Sequence, residues 1–204
     1  MTLHRDRGPA RHRELLDVRR HELDEIAAFV RANQSVALIG PPGAGKTALL
    51  VHLAGAGTLG QESLVVYLDC GGLRDQTYEG VFAQWTTAMQ ATLAARGLLP
   101  EPALAEAAAQ PARLALEAAV RRLNQRGLRL ALILDEFEQL SGNPRLGVSF
   151  FNGLRSLAGR YELVFLTASV RPLIELTYAG CAEEIASSPF FNIFASIRLG
   201  PSRP

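Results

Sequence analysis

The chain has 204 residues, close to half of them apolar and a fifth charged, with a formal charge of +1; this fits one sizeable domain with a real core and excludes a disordered chain. A near-neutral balance leaves no large field to draw in nucleic acid or an anionic membrane, and the Arg- and His-rich first 21 residues are interrupted by Asp6, Glu14 and Asp17, as on a solvated face. No apolar run approaches the roughly 18 residues of a membrane span and the N-terminus is polar where a signal peptide is apolar, while Cys70 and Cys181 lack disulfide or zinc spacing, so a cytoplasmic protein is expected.

Apolar residues recur at helical spacing from Arg13 to Arg31, and Asn33 and Gln34 break the pattern, which predicts an entry helix. Ser35–Ile39 is a short apolar strand bounded by Gly40, and a helix is expected over Thr47–Ala54. A second strand is predicted at Leu64–Leu68, ending at Asp69, and a helix over Tyr78–Arg96 with Phe82, Trp85, Met89 and Leu93 on one side, closed by Gly97. Residues 97 to 112 mix Pro, Gly and Ala as a connector does. A third helix follows over Ala112–Arg126 and a third strand over Arg129–Leu134. Next come a fourth helix through Val148, Phe151, Leu154 and Leu157, a fourth strand at Leu163–Leu166, a short helix after Pro172 and a fifth strand at Ile193–Leu199. Continuous apolar strands alternating with amphipathic helices mean an α/β fold with a parallel sheet covered on both faces. Residues 1–34 are read as an N-terminal segment with the entry helix, and 35–204 as the core.

Gly40-Pro41-Pro42-Gly43-Ala44-Gly45-Lys46-Thr47 satisfies G-x-x-x-x-G-K-[ST] between a strand and a helix, the context the pattern requires. Loop amides and the positive end of the helix dipole form a cradle for phosphate, with Ala48 continuing the first turn. Lys46 is the only lysine in a chain that otherwise uses arginine. A compact ammonium fits so tight a nest where a planar guanidinium does not. Lys46 is expected to reach the β- and γ-phosphates and Thr47 to offer its hydroxyl to Mg²⁺. The alternative is a glycine-rich turn that closes without any ligand.

The third strand runs into Asp135-Glu136-Phe137-Glu138. Ligands of open parallel sheets gather at the carboxyl ends of strands, so Asp135 is expected to hold Mg²⁺ with Thr47, and Glu136 to orient or deprotonate a water in line with the γ-phosphate. A carboxylate that activates water favours hydrolysis over transfer to an acceptor. The same pair also suits a helix N-cap with an acidic first turn. Glu138 and Asp69 also stand near strand ends, where either could support the residues that touch the ligand; for both an ordinary structural role is preferred. At the fourth strand's end Thr167, Ser169 and Arg171 are candidates to contact the γ-phosphate, with turn or capping roles as the alternative.

With these motifs in order, the chain resembles the additional-strand (AAA+) P-loop ATPases, most closely the bacterial and archaeal STAND-type ATPases and their relatives near the origin-recognition ATPases. Arg20-His21-Glu22-Leu23, VVYLDC, LILDEFEQL and SSPFFNIFASIRLGP add to the likeness. The resemblance implies a P-loop NTPase three-layer sandwich with sheet order 5-1-4-3-2, a helix before the first strand that helps to enclose adenine, ATP or ADP as ligand, and a nucleotide-controlled switch. Its partners would be proteins or further domains, with a nucleotide-dependent oligomer as one form. The chain departs from ring-forming machines in having no Lys or Arg from Pro172 to Ile197, where they carry a trans-acting arginine. It also stops short of the helical lid and winged helix that family members carry. Two rivals remain: a regulatory module that holds nucleotide without turning it over, and a small-molecule kinase.

Overall fold

Five apolar segments, too continuous to leave either face to water, pair into one sheet in the protein's computed structural model. The structure describes residues 16–55, 57–98, 112–178 and 189–201. The basic run up to Glu14, most of the 97–112 connector and Cys181 lie outside the described residues.

The strands are β1 (Ser35–Ile39), β2 (Ser63–Asp69), β3 (Arg129–Asp135), β4 (Leu163–Ser169) and β5 (Phe194–Arg198). Every pairing is parallel and the order is β2-β3-β4-β1-β5, the predicted 5-1-4-3-2 read from the other edge. The helices are α1 (Arg20–Arg31), α2 (Lys46–Gly55), α3 (Tyr78–Ala95), α4 (Ala112–Gln125), α5 (Phe137–Ser141), α6 (Val148–Arg160) and α7 (Leu173–Tyr178). A 3₁₀ turn over Pro189–Ile193 leads into β5.

Local chemistry explains the element ends. Asn33 takes φ +57° beyond α1, and the amides of Asn33 and Gln34 return to Val30 O and Phe29 O, satisfying carbonyls the helix leaves open. Thr77 caps α3 by accepting from Gly80 N at 3.1 Å. Past the end of α3, Gly97 supplies φ +67°.

The pleat sends alternate strand residues to two cores. On one face Leu23, Ile26 and Val30 of α1 and Leu49, Leu50 and Leu53 of α2 cover Val36, Leu38, Ile133 and Leu166. On the other, α3, α4 and α6 pack Phe82, Trp85, Leu116 and Phe150 over Leu64, Leu132 and Phe165. The Phe150 ring lies 5.1 to 6.0 Å from those of Tyr78, Phe82, Trp85 and Phe151, in tilted and edge-on contacts of the favoured kind.

Three boundaries differ from the sequence reading. The entry helix is interrupted by a turn at Arg19, whose buried guanidinium binds Glu22 and Gly200 O. β4 runs three residues past Leu166, because Thr167 and Ser169 are buried in the ladder beside Ala37 and Ile39 despite their polarity. Helix α5 starts directly after Glu136, where the sequence left a helix N-cap only as the alternative, and the Glu136 side chain makes no capping bond. Replacing Phe150 with Ala removes the hub of the aromatic cluster and is expected to cost about 3–5 kcal/mol, read as a lowered urea midpoint with an unchanged slope.

Candidate active site

The glycine loop springs from the centre of the sheet. Ile39 O accepts from Leu199 N at 2.7 Å and Gly40 N donates to Ser169 O at 3.1 Å, so the junction of β1 with the loop is tied to the end of β4 and to the residue after β5. Gly40 has no room for a side chain: a Cβ there would lie 2.7 Å from Leu199 O and 3.2 Å from Ala44 Cβ. Gly43 and Gly45 adopt φ +80° and +89°, values that L side chains rarely take. Ala44 N closes back on Pro41 O at 3.2 Å. Helix α2 then begins at Lys46 with no acidic residue in its first turn, so its positive end is not neutralised by its own side chains.

The Lys46 ammonium donates to Gly40 O at 2.6 Å and Pro41 O at 3.1 Å. Burial draws its pKa below the usual lysine value, against the opposing charges of Glu138 and then Asp135. Thr47 is exposed.

Asp135, 4% exposed, ends β3 opposite Asp69 of β2. Its Oδ2 accepts from the Tyr67 hydroxyl at 2.8 Å and its Oδ1 from Glu136 N at 2.9 Å. Burial, followed by the charge and hydrogen bond of Asp135, pushes the Tyr67 phenol upward, so the hydroxyl stays a donor. Glu136 is exposed and left-handed at φ +50° and ψ +45°, a conformation uncommon for a residue with a Cβ. Its carboxylate leans over the β2 end: a Cβ on Gly71 would meet Glu136 Oε2 at 3.2 Å and Asp69 Oδ1 at 3.1 Å. Asp69 Oδ1 is engaged by Gly71 N at 2.8 Å, in an ordinary turn. Cys70 is buried below them, and burial, then the charges of Asp69, Asp135, Glu136 and Glu138, raise its thiol pKa. It is a poor nucleophile.

At the end of β4, Ser169 Oγ donates to Arg171 O at 2.7 Å, and Val170 N donates to Glu138 Oε1. Thr167 pairs in register with Leu134 and Ala37, which puts it on the face opposite Asp135. Its buried hydroxyl has no partner among the described residues, and the expectation of a phosphate contact from it does not fit that placement. Arg171 is exposed. Sequence reasoning missed Tyr67, whose signal was its position two residues before Asp69, on the strand that pairs with β3. An open groove of about 860 Å³ lies at the amino ends of β1 and β4, between Gln34, Ser35, Arg155 and Leu163, at the far end of the sheet from these groups.

A parallel sheet in this order, with a glycine loop leading from β1 into α2 and an acidic end to β3, defines a P-loop NTPase of the additional-strand class. The chain belongs to the family described as novel STAND NTPase 2, whose model matches residues 62–202. Among solved structures it is similar to the ORC2 protein of Aeropyrum pernix in ADPNP–ADP complexes (16% identity, TM-score 0.66, 90% of this chain and 48% of that one). It is also similar to a Walker-type ATPase of Pyrococcus abyssi (16%, 0.58, 89% and 53%). A third match is the ORC1 protein of Aeropyrum pernix in complex with DNA (18%, 0.53, 89% and 44%). At these identities the likeness is one of fold, and the chain spans about half the length of each structure. No curated protein matches the chain.

Two glycine substitutions separate the roles of the loop positions. Gly40→Ala must displace the backbone at Leu199, so amide exchange at Leu199 is expected to accelerate. Gly43→Ala, with open space around it, carries only the dihedral cost of about 1–2 kcal/mol and leaves Leu199 exchange unchanged.

Proposed function

We propose that this domain binds Mg²⁺-ATP along Gly40–Ala48 and hydrolyses it, and that its ATP and ADP states engage protein partners or further domains differently. The observation that carries the reading is the half-buried Lys46, set at the mouth of a glycine loop and within the field of Asp135 and Glu138 at the neighbouring strand ends. The match to a structure holding ADPNP and ADP supports adenine nucleotide. The match to a DNA-bound protein makes DNA the rival partner, against a formal charge of +1.

The residues present fit Mg²⁺. Each oxygen of Asp135 already accepts one hydrogen bond and keeps a further lone pair, which suits a carboxylate that holds the metal's water ligands. The exposed Thr47 hydroxyl suits a direct ligand, and Mg²⁺ usually keeps several waters. When bound, the ion neutralises charge on the phosphates. Lys46 exchanges its loop carbonyls for phosphate oxygens, and Arg171 reads the γ-phosphate from the β4 turn. Glu136 takes a proton from the water that attacks the γ-phosphorus while the bond to the β-phosphate oxygen breaks, releasing ADP and phosphate.

Glu136 leans toward Gly71 and is not among the carboxylates acting on Lys46, which favours a second reading: a module that holds nucleotide without turnover until Glu136 swings toward the loop. Mg²⁺-dependent ATP turnover measured beside Glu136→Gln and Lys46→Ala, with binding recorded for each, tests both. Glu136→Gln is expected to lower turnover by about 100-fold or more with binding retained, and Lys46→Ala to lose binding. Equal, negligible turnover with firm binding in the parent and Glu136→Gln would establish the second reading instead.

A further inference from the structure

Glu138 is the second residue of α5, two positions beyond Glu136, and enters so far only through its charge beside Lys46. Its backbone behaves as helix does, with Gly142 N donating to Glu138 O at 2.9 Å. Its side chain does not point idly to water. Oε1 accepts from Val170 N, a backbone amide 32 residues further along the chain and directly before Arg171. The same turn is closed on its other side by Ser169 Oγ on Arg171 O at 2.7 Å. These two side-chain bonds hold the backbone of Val170 and Arg171. The Glu138 charge also leads the carboxylates acting on Lys46.

The sheet order makes this bond consequential. β4 lies between β3 and β1, so a link from the segment after β3 to the turn after β4 spans the edge beside the Lys46 loop. The bond gives the Val170 amide a fixed acceptor across the edge, which a side chain without an oxygen at that place does not supply. With Val170 about half exposed, the turn has little apolar burial of its own to hold it.

We infer that Glu138 is a positioning residue, which pins the Val170–Arg171 turn so that Arg171 is presented to the terminal phosphate and ATP is told from ADP. The inference rests on the reading of Arg171 given above. Glu138 acts through the Val170 amide and touches no phosphate.

The test combines Glu138→Ala, Glu138→Gln, Arg171→Ala and the Glu138→Ala/Arg171→Ala double variant. Affinities for Mg²⁺-ATP and Mg²⁺-ADP are measured by calorimetry, and amide exchange at Val170 without nucleotide. Glu138→Ala is expected to speed Val170 exchange and to lower the ATP-to-ADP affinity ratio about tenfold. Glu138→Gln, whose amide oxygen still accepts from Val170 N, should keep the ratio within about threefold of the parent. In the Arg171→Ala background, Glu138→Ala should change the ratio no further, the non-additivity expected of groups acting through one another. Glu138→Ala that leaves the ratio intact while Arg171→Ala lowers it overturns the inference and leaves the nucleotide reading standing. So does a Glu138→Gln variant as impaired as Glu138→Ala, since the charge rather than the bond would then matter. An unchanged ratio in Arg171→Ala removes the role of Arg171 and the inference with it.

Discussion

Because β4 pairs in parallel with β1 on one side and β3 on the other, three chain segments leave adjacent strands at the same, carboxyl end of the sheet. They are the glycine loop after Ile39, the turn after Ser169, and the acidic run from Asp135. Each comes from a strand buried on both faces, so none can shift without disturbing a close-packed core. The loop itself is fastened to this frame by Gly40 N on Ser169 O. A polar edge built on so apolar a frame is the usual place for a ligand in an open parallel sheet.

The edge concentrates charge that the core cannot tolerate unpaired. A buried ionised carboxylate costs many kcal/mol unless it is hydrogen-bonded or compensated, and Asp135 meets that demand through Tyr67 and the amide of Glu136. That amide is presented by a left-handed residue, so the uncommon backbone at Glu136 both satisfies Asp135 and starts α5, which carries Glu138 toward β4. Across the edge stand an ammonium and an uncompensated helix end, the groups that attract phosphate. The polarity of the two sides is complementary: anions are drawn to the loop and cations to the β3 end.

The start of α1 is coupled to the chain leaving β5. Arg19 holds Glu22 at 2.8 Å and Gly200 O at 2.6 Å, and burial, which would raise the Glu22 pKa, is outweighed by the Arg19 bond and charge so that it is lowered. The backbone of Leu199 packs directly against Gly40. Helix α1, the glycine loop and the exit from β5 therefore form one packed unit, and a change in the loop is felt at the point where the chain departs from the sheet.

Much of this architecture was legible in the residues themselves. Apolar runs bounded by glycines and charges marked all five strands, helical spacing marked the larger helices, and the spacing from Gly40 to Thr47 with its single lysine named the loop, because these signals are local and fixed by backbone geometry. Strand order came from resemblance, which pairing then bore out. What the residues could not disclose was register. The Tyr67–Asp135 bond joins residues 68 apart, Glu138–Val170 residues 32 apart and Arg19–Gly200 residues 181 apart, and no local pattern encodes such distances. The polar tail of β4 was hidden for the same reason, since a threonine and a serine look like loop residues until a sheet is built around them. The sequence by itself determined the fold class and the place of the glycine loop between β1 and α2; tertiary structure alone decided which carboxylate is locked, which leans away and which reaches the neighbouring strand, because those choices depend on how parallel strands bring distant side chains to one edge.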